Sequence, residues 1–328
     1  MTDPLTPTAR ALCDAMSAGF PGPGSPETLR AAARAGVREV PPSRETTANG
    51  VRVRLYDAAS GSASSAAPSP APGPAPSPLP GPSPAPIPAP SPASGPAPSP
   101  APVIVFAHGG GWVLCDLDTH DGLCRELAAR TGASVVSVDY RRAPEHRFPA
   151  AEDDVHAVLE WAASEYPGSP LLVAGDSSGG NLAAAAALRA RDAGGPPIAG
   201  QLLFYPALDH RLDTPSAEAY AQGFFHTAAH MRWYWEQYVG PSGDPVAASP
   251  GLAADLTGLP PTLVVLADCD LLRDEGLAYA RRLSSAGVRT HVQLHTGVFH
   301  GFLGARGVLP EADAALSGAA AWVTTVSG

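Results

Sequence analysis

Lysine is absent from the 328 residues: all 21 basic side chains are arginine, and 31 carboxylates leave a formal charge of −10. An acidic chain with no basic stripe does not suit a nucleic-acid backbone, which demands clustered positive charge. Cysteine is scarce and scattered. Cys13, Cys115, Cys124 and Cys269 form no C-x-x-C pair, so neither a disulfide framework nor a zinc site is indicated, and all four read as free thiols. Uninterrupted apolar runs of about eighteen residues are missing too, which argues against a membrane span. The opening "MTDPLTPTARALCDAM" lacks the charged-then-apolar pattern of a secretory leader, so the expected location is the cytoplasm.

What remains is abundant apolar content, 45% of residues, in a chain long enough for one large α/β domain spanning residues 1–328. From 58 to 102 the composition collapses to Pro, Ala, Ser and Gly. Alternating proline removes backbone donors and favours polyproline II, so this stretch is expected to be a mobile insertion, not core. Its other use would be as a ligand for SH3- or WW-like partners. Lengthening a turn this much costs only about 2 kcal/mol of loop closure.

Outside the insertion the pattern is regular. "VRVRLY" alternates as a strand should. Apolar β-rich runs follow at "PVIVFAH", "ASVVSVDY", "SPLLVAGD", "AGQLLFYP", "PTLVVLAD" and "RTHVQLH", most of them separated by helical stretches. Strands alternating with helices predict a mostly parallel sheet flanked by helices. The interval 208–249 breaks the alternation. It is long, aromatic and strandless, which suggests an inserted cap over the C-terminal edge of the sheet, while residues 1–40 read as weakly helical.

The segment "LLVAGDSSGGNLAAAAAL" is a strand, a tight turn and a helix. Gly175-Asp176-Ser177-Ser178-Gly179 fits G-x-S-x-G only when centred on Ser177, which is therefore the candidate nucleophile; the N–H of Ser178 then opens the helix as an anion donor. Upstream, "VIVFAHGGGWVL" runs a strand into His108 and three glycines, whose unshielded N–H groups suit an oxyanion hole, with His108 bracing the loop. A serine needs a base and the base an orienting acid, following in the order acid then His. His291 and His295 share parity on one strand and read as a solvent-facing strip. His300 lies beyond it in "TGVFHGF" and is the better base. Asp274 is explained as a helix cap or dipole partner. Asp268 and Asp270 stand nearly even.

Together "HGGGWV", "DYRRAPEHRFPAAEDD", "GDSSGGN", "LFYPALD", "MRWYWEQYVG", "DCDLLRDEG" and "FHGF" resemble the hormone-sensitive-lipase-like branch of α/β-hydrolases, the bacterial type IV esterases, from about Val103 onward. The resemblance implies an α/β-hydrolase fold with a helical cap to which residues 1–40 and 208–249 both contribute, Asp270 as triad acid beside Ser177 and His300, and Gly110, Gly111 and Ser178 as oxyanion donors. Trp112, Phe224 and Phe225 are the candidate substrate-binding residues. Departures are Leu271 for the usual Pro, Ser178 for Ala, His295 for an aromatic, and Cys115 for a frequent Gly, the last raising the question of thiol sensitivity. The expected function is a serine carboxylesterase for short- to medium-chain acyl esters, working through an acyl-enzyme. An amide or N-acyl hydrolase is the alternative, and a non-catalytic ligand-binding relative a third reading. No cofactor and no metal are expected. The expected partner is a small-molecule ester, with a homodimer as the candidate assembly.

Overall fold

The computed structural model describes residues 3–35, 37, 44–57 and 100–328; most of the Pro-rich stretch lies outside them. Among the described residues eight strands form one sheet in the order β1-β2-β4-β3-β5-β6-β7-β8. These are β1 (Glu45–Ala48), β2 (Val51–Tyr56), β3 (Val103–Ala107), β4 (Ser134–Val138), β5 (Leu171–Asp176), β6 (Gly200–Phe204), β7 (Thr262–Cys269) and β8 (Thr290–Phe299). From β4 to β8 every pairing is parallel, and β2 joins β4 antiparallel. The hairpin β1–β2 was not anticipated from periodicity, yet its turn is written in the sequence. Asn49 and Gly50 have φ of 46° and 89°, the double left-handed turn that an Asn-Gly pair favours.

Strand parity divides the core in two. Val103 and Val105 of β3 face the layer of α4 (Ala150–Glu165), α5 (Ser178–Ala193) and α8 (Arg273–Ser285). Ile104 and Phe106 face the layer of α3 (Asp121–Thr131) and α9 (Pro310–Ser327). Burial on both faces is why these strands read as continuous apolar runs, and each aliphatic side chain so buried stabilises the fold by roughly 1.5–3 kcal/mol.

The helices α1 (Pro7–Gly19) and α2 (Pro26–Arg34) lie at the C-terminal ends of the strands, with α6 (Pro215–Ala219) and α7 (Ala228–Val239). Specific contacts tie these pieces together. Arg10 Nη1 donates to the Gly223 carbonyl at 2.8 Å and His230 Nε2 to that of Pro21 at 3.1 Å. Arg30 donates to the Val113 carbonyl at 2.8 Å and to that of Ala143 at 2.9 Å. Asp274 does not cap α8, whose N-cap is Leu272; it lies in the first turn, where its carboxylate accepts from Ser216 N at 2.9 Å and its own N–H donates to Ser216 Oγ at 3.0 Å, docking α6 onto α8.

Candidate active site

Ser177 sits at the junction of β5 and α5 with φ 54° and ψ −119°, a left-handed conformation that costs a non-glycine residue free energy and aims its side chain off the end of the sheet. The turn closes only because its flanks are bare. A Cβ on Gly175 would collide with the Gly179 carbonyl, and one on Gly179 with that of Ala107. Ser177 N–H donates to the Phe204 carbonyl at 2.9 Å, which fixes the elbow to β6.

Two other strand ends converge on Ser177. His300 follows β8 directly, and its Nε2 lies 2.9 Å from Ser177 Oγ. Its Nδ1 lies 2.7 Å from Asp270 Oδ2. The second carboxylate oxygen of Asp270 accepts from Leu272 N at 2.9 Å, so the turn into α8 holds the carboxylate. Both Asp270 and His300 are buried. Asp268 is used elsewhere: its Oδ1 accepts from Gly297 N at 2.8 Å and Val298 N at 3.4 Å, pinning β8 where it bends.

The glycine loop forms the facing wall. Gly109 N–H is committed to Asp176 Oδ1 at 2.8 Å, while among the described residues the N–H groups of Gly110 and Gly111 have no protein acceptor. Both take left-handed backbone, φ 113° and 61°, and a Cβ on Gly111 would enter the Tyr234 ring. Ser178 N–H opens α5, where helix geometry leaves it free. His108 braces the loop as expected: its Nδ1 donates to the Gly109 carbonyl at 2.8 Å, and Tyr140 stacks on the ring at 4.2 Å. Burial lowers the His108 pKa to about 3, keeping the imidazole neutral.

Ser177 opens into a cavity of about 400 Å³ walled by α1, α2, the loop and residues 225–234, within the range of small-molecule sites. Phe225 lines it; Phe224 and Trp112 do not. Phe224 instead packs edge-on to Tyr220 at 4.9 Å beneath Arg10. Trp112, turned by its own φ of 60°, stacks on Tyr238 at 4.4 Å in the core. The aromatic run of α7 is mainly packing, with Tyr234 alone of its four aromatic side chains reaching the cavity. Cys115 also lines it, but burial and the Asp176 charge push its thiol up to about 12, so it carries no reactive thiolate at neutral pH. His295 is not part of a solvent-facing strip. It is half-buried, 5.4 Å from the Phe302 ring, and burial lowers its pKa.

Three groups escaped sequence reasoning. Asp176, read only as a flanking residue, ties the elbow to the glycine loop and lies 3.3 Å from His120 Nε2. Glu275 is buried and accepts from Leu208 N at 2.6 Å and Asp209 N at 3.3 Å, anchoring the chain where it leaves β6; burial holds its carboxyl well above the ordinary range. His226, which stands in no sequence motif, lines the cavity. Among the described residues no cluster of three or more metal-ligating side chains occurs, and no helix is long and apolar enough to cross a membrane.

A parallel sheet with a strained serine elbow, a facing glycine loop, and a histidine and aspartate at later strand ends defines an α/β-hydrolase. Residues 104–304 match the family described as alpha/beta hydrolase fold. The chain is 44% identical over 223 residues to esterase LipI of Mycobacterium tuberculosis, covering 65% of this chain and 69% of that protein. Carboxylesterase NlhH of the same organism is 43% identical over 227 residues, covering 64% and 69%. The crystal structure of the Pyrobaculum calidifontis esterase superposes with a TM-score of 0.79 at 33% identity, covering 99% of this chain and all of that one. The chain belongs to the hormone-sensitive-lipase-like esterases of the α/β-hydrolase superfamily.

Proposed function

We propose that this chain is a serine carboxylesterase for short- to medium-chain acyl esters, with Ser177, His300 and Asp270 as its catalytic triad. The observation that carries the reading is one hydrogen-bonded line, Asp270 Oδ2 to His300 Nδ1 at 2.7 Å and His300 Nε2 to Ser177 Oγ at 2.9 Å, facing uncommitted N–H groups. Asp270 accepts from Nδ1–H, leaving Nε2 basic. Nε2 takes the Ser177 proton as Oγ attacks the ester carbonyl. The oxyanion is held by Gly110, Gly111 and Ser178 N–H groups. The imidazolium then protonates the leaving alkoxide. Water, deprotonated by the same nitrogen, releases the acid and regenerates Ser177. The described residues of 1–40 act with 208–249 as one cap that shields this chemistry from solvent, and the cavity they close over supports the chain-length preference.

Hydrolysis of a p-nitrophenyl acyl series from acetate to dodecanoate, beside matched amides, tests the reading. The expected optimum lies at short to medium chains, with esters favoured over amides. Ser177→Ala should lower kcat by roughly 10⁶-fold, while Ser178→Ala, which keeps its backbone N–H, should retain activity of the parent's order. Full activity in Ser177→Ala would remove the proposal, and faster cleavage of amides would replace esterase by amidase.

A further inference from the structure

Two polar side chains of the cavity have no hydrogen-bond partner among the described residues. His226 lines the cavity beside His300, the two rings 5.4 Å apart and nearly perpendicular at 84°, and its Nδ1 is buried and unpartnered. Tyr234 lines the same cavity with its ring 6.0 Å from that of His226, and its hydroxyl is likewise buried and unpartnered. Phe20 and Phe225, which line the cavity too, flank the His226 ring at 5.7 Å and 4.3 Å, and neither offers a side-chain hydrogen bond. Buried polar groups without partners are rare because each forfeits its interaction with water.

His230, four residues on, shows what a structural histidine looks like in the same segment. Its Nε2 donates to the Pro21 carbonyl at 3.1 Å, and its Nδ1 lies 2.9 Å from Thr227 Oγ1. His226 has no such use. Burial and the neighbouring His300 and His230 hold its pKa well below the ordinary imidazole range, so it is neutral, with one nitrogen to donate and one to accept. A hydroxyl group can donate to the unpartnered Nδ1 or accept from it, whichever tautomer is present, and can do the same with the Tyr234 hydroxyl; a carboxylate, which only accepts, cannot serve a nitrogen that accepts.

Position selects the half of the substrate. The leaving oxygen must come within reach of His300 Nε2 to be protonated, so the alcohol moiety occupies the His300 side of the cavity, where His226 stands. We propose that His226, assisted by Tyr234, forms a polar subsite for a hydroxyl on the alcohol half of the ester, so that monoesters of diols and polyols are the favoured substrate class. This inference rests on the esterase reading.

The test compares 2-hydroxyethyl butanoate with propyl butanoate, which have equal heavy-atom counts and the same acyl group, by pH-stat on the full chain. The ratio of their kcat/KM values within one preparation cancels differences in active fraction. The parent should favour the hydroxy ester by about tenfold or more, since the alkyl ester leaves the site's polar groups unpaired. His226→Phe should bring the ratio close to one, His226→Asn should keep part of it, and Tyr234→Phe should lower it by a smaller factor. A parent ratio near one overturns the subsite without any variant having to fold. A ratio unmoved by either His226→Phe or Tyr234→Phe overturns it as well. An enzyme that cleaves neither butanoate nor p-nitrophenyl acetate refutes the esterase reading, a different failure from hydrolysis without preference.

Discussion

Replacing Asp270 with Asn changes one atom and should nearly silence the enzyme, for a reason set by a neighbour. Asp270 has two fixed partners: the Leu272 N–H at 2.9 Å and His300 Nδ1 at 2.7 Å. An asparagine has one acceptor oxygen and one donor NH₂. The backbone N–H of Leu272 cannot reverse its polarity, so the amide oxygen must face it and the NH₂ must face His300. Nδ1 then becomes an acceptor, and the imidazole proton moves to Nε2, where it points at Ser177 Oγ. The base has lost its lone pair. A wrong tautomer of this kind in a serine triad lowers kcat by about 10⁴-fold, or about 5.4 kcal/mol of transition-state stabilisation. Asp268→Asn supplies the contrast. Asp268 Oδ1 only accepts, from Gly297 N and Val298 N, so an amide oxygen serves as well and kcat should stay within tenfold of the parent. The assay is kcat for p-nitrophenyl butanoate at pH 8, with Tm measured on each protein. A correctly folded Asp270→Asn within tenfold of the parent, or a larger loss in Asp268→Asn, would refute the reasoning.

Gly111→Ala should be both inactive and less stable, because its Cβ meets the Tyr234 ring on backbone of φ 61°; chemical denaturation should show a loss of at least about 1 kcal/mol, and an active, equally stable variant would contradict the assigned loop. Acid should expose His108. Its pKa falls from 6.5 to about 3 on burial, so the unfolded chain binds more protons below pH 6.5, and the stability that neutral His108 contributes is complete above that pH and lost as pH falls toward 3. The stability margin of the parent over His108→Gln should therefore shrink between pH 6.5 and 4.5 by roughly 1.4 kcal/mol per unit; a constant margin would show that His108 does not titrate this way. Glu275, held above its ordinary range by burial, acts in the opposite sense, which is why the measurement is a difference between two proteins that share it. Iodoacetamide should leave activity unchanged at pH 7, since the Cys115 thiol stays protonated; rapid inactivation relieved by Cys115→Ser would overturn that.

The fold was readable because parallel strands buried on both faces leave long apolar runs, and because helical stretches such as α3 and α5 separate those runs. What escaped was short or non-local. Hairpin strand β1 has four residues with one buried side chain, too few to register as a period. Strand β8 runs on through Phe299, past the point where Gly297, at φ 73°, seemed to end it. Trp112 and Phe224 look like pocket residues because they adjoin the glycine loop and Phe225, but a left-handed residue sends its side chain where neighbours in sequence do not predict. Trp112 goes under the loop for that reason.

The choice between Asp268 and Asp270 shows where local reasoning ends. Both lie near the end of β7 with the same parity, so on a regular strand they would point to one face, and no periodicity could separate them. The strand is not regular there. Ala267 pairs with His295 but Cys269 pairs with Phe299, so the partner strand advances four residues while β7 advances two. The extra residues of β8 arch over Asp268, whose carboxylate takes up their N–H groups. The arch also delivers His300 to the chain end beyond it, opposite Asp270. One irregularity thus spends Asp268 on backbone and leaves Asp270 for the imidazole. Deleting the two residues Thr296 and Gly297 should therefore remove activity by drawing His300 away from Asp270, and retention of p-nitrophenyl butanoate hydrolysis in that deletion would show that the arch does not set the pairing.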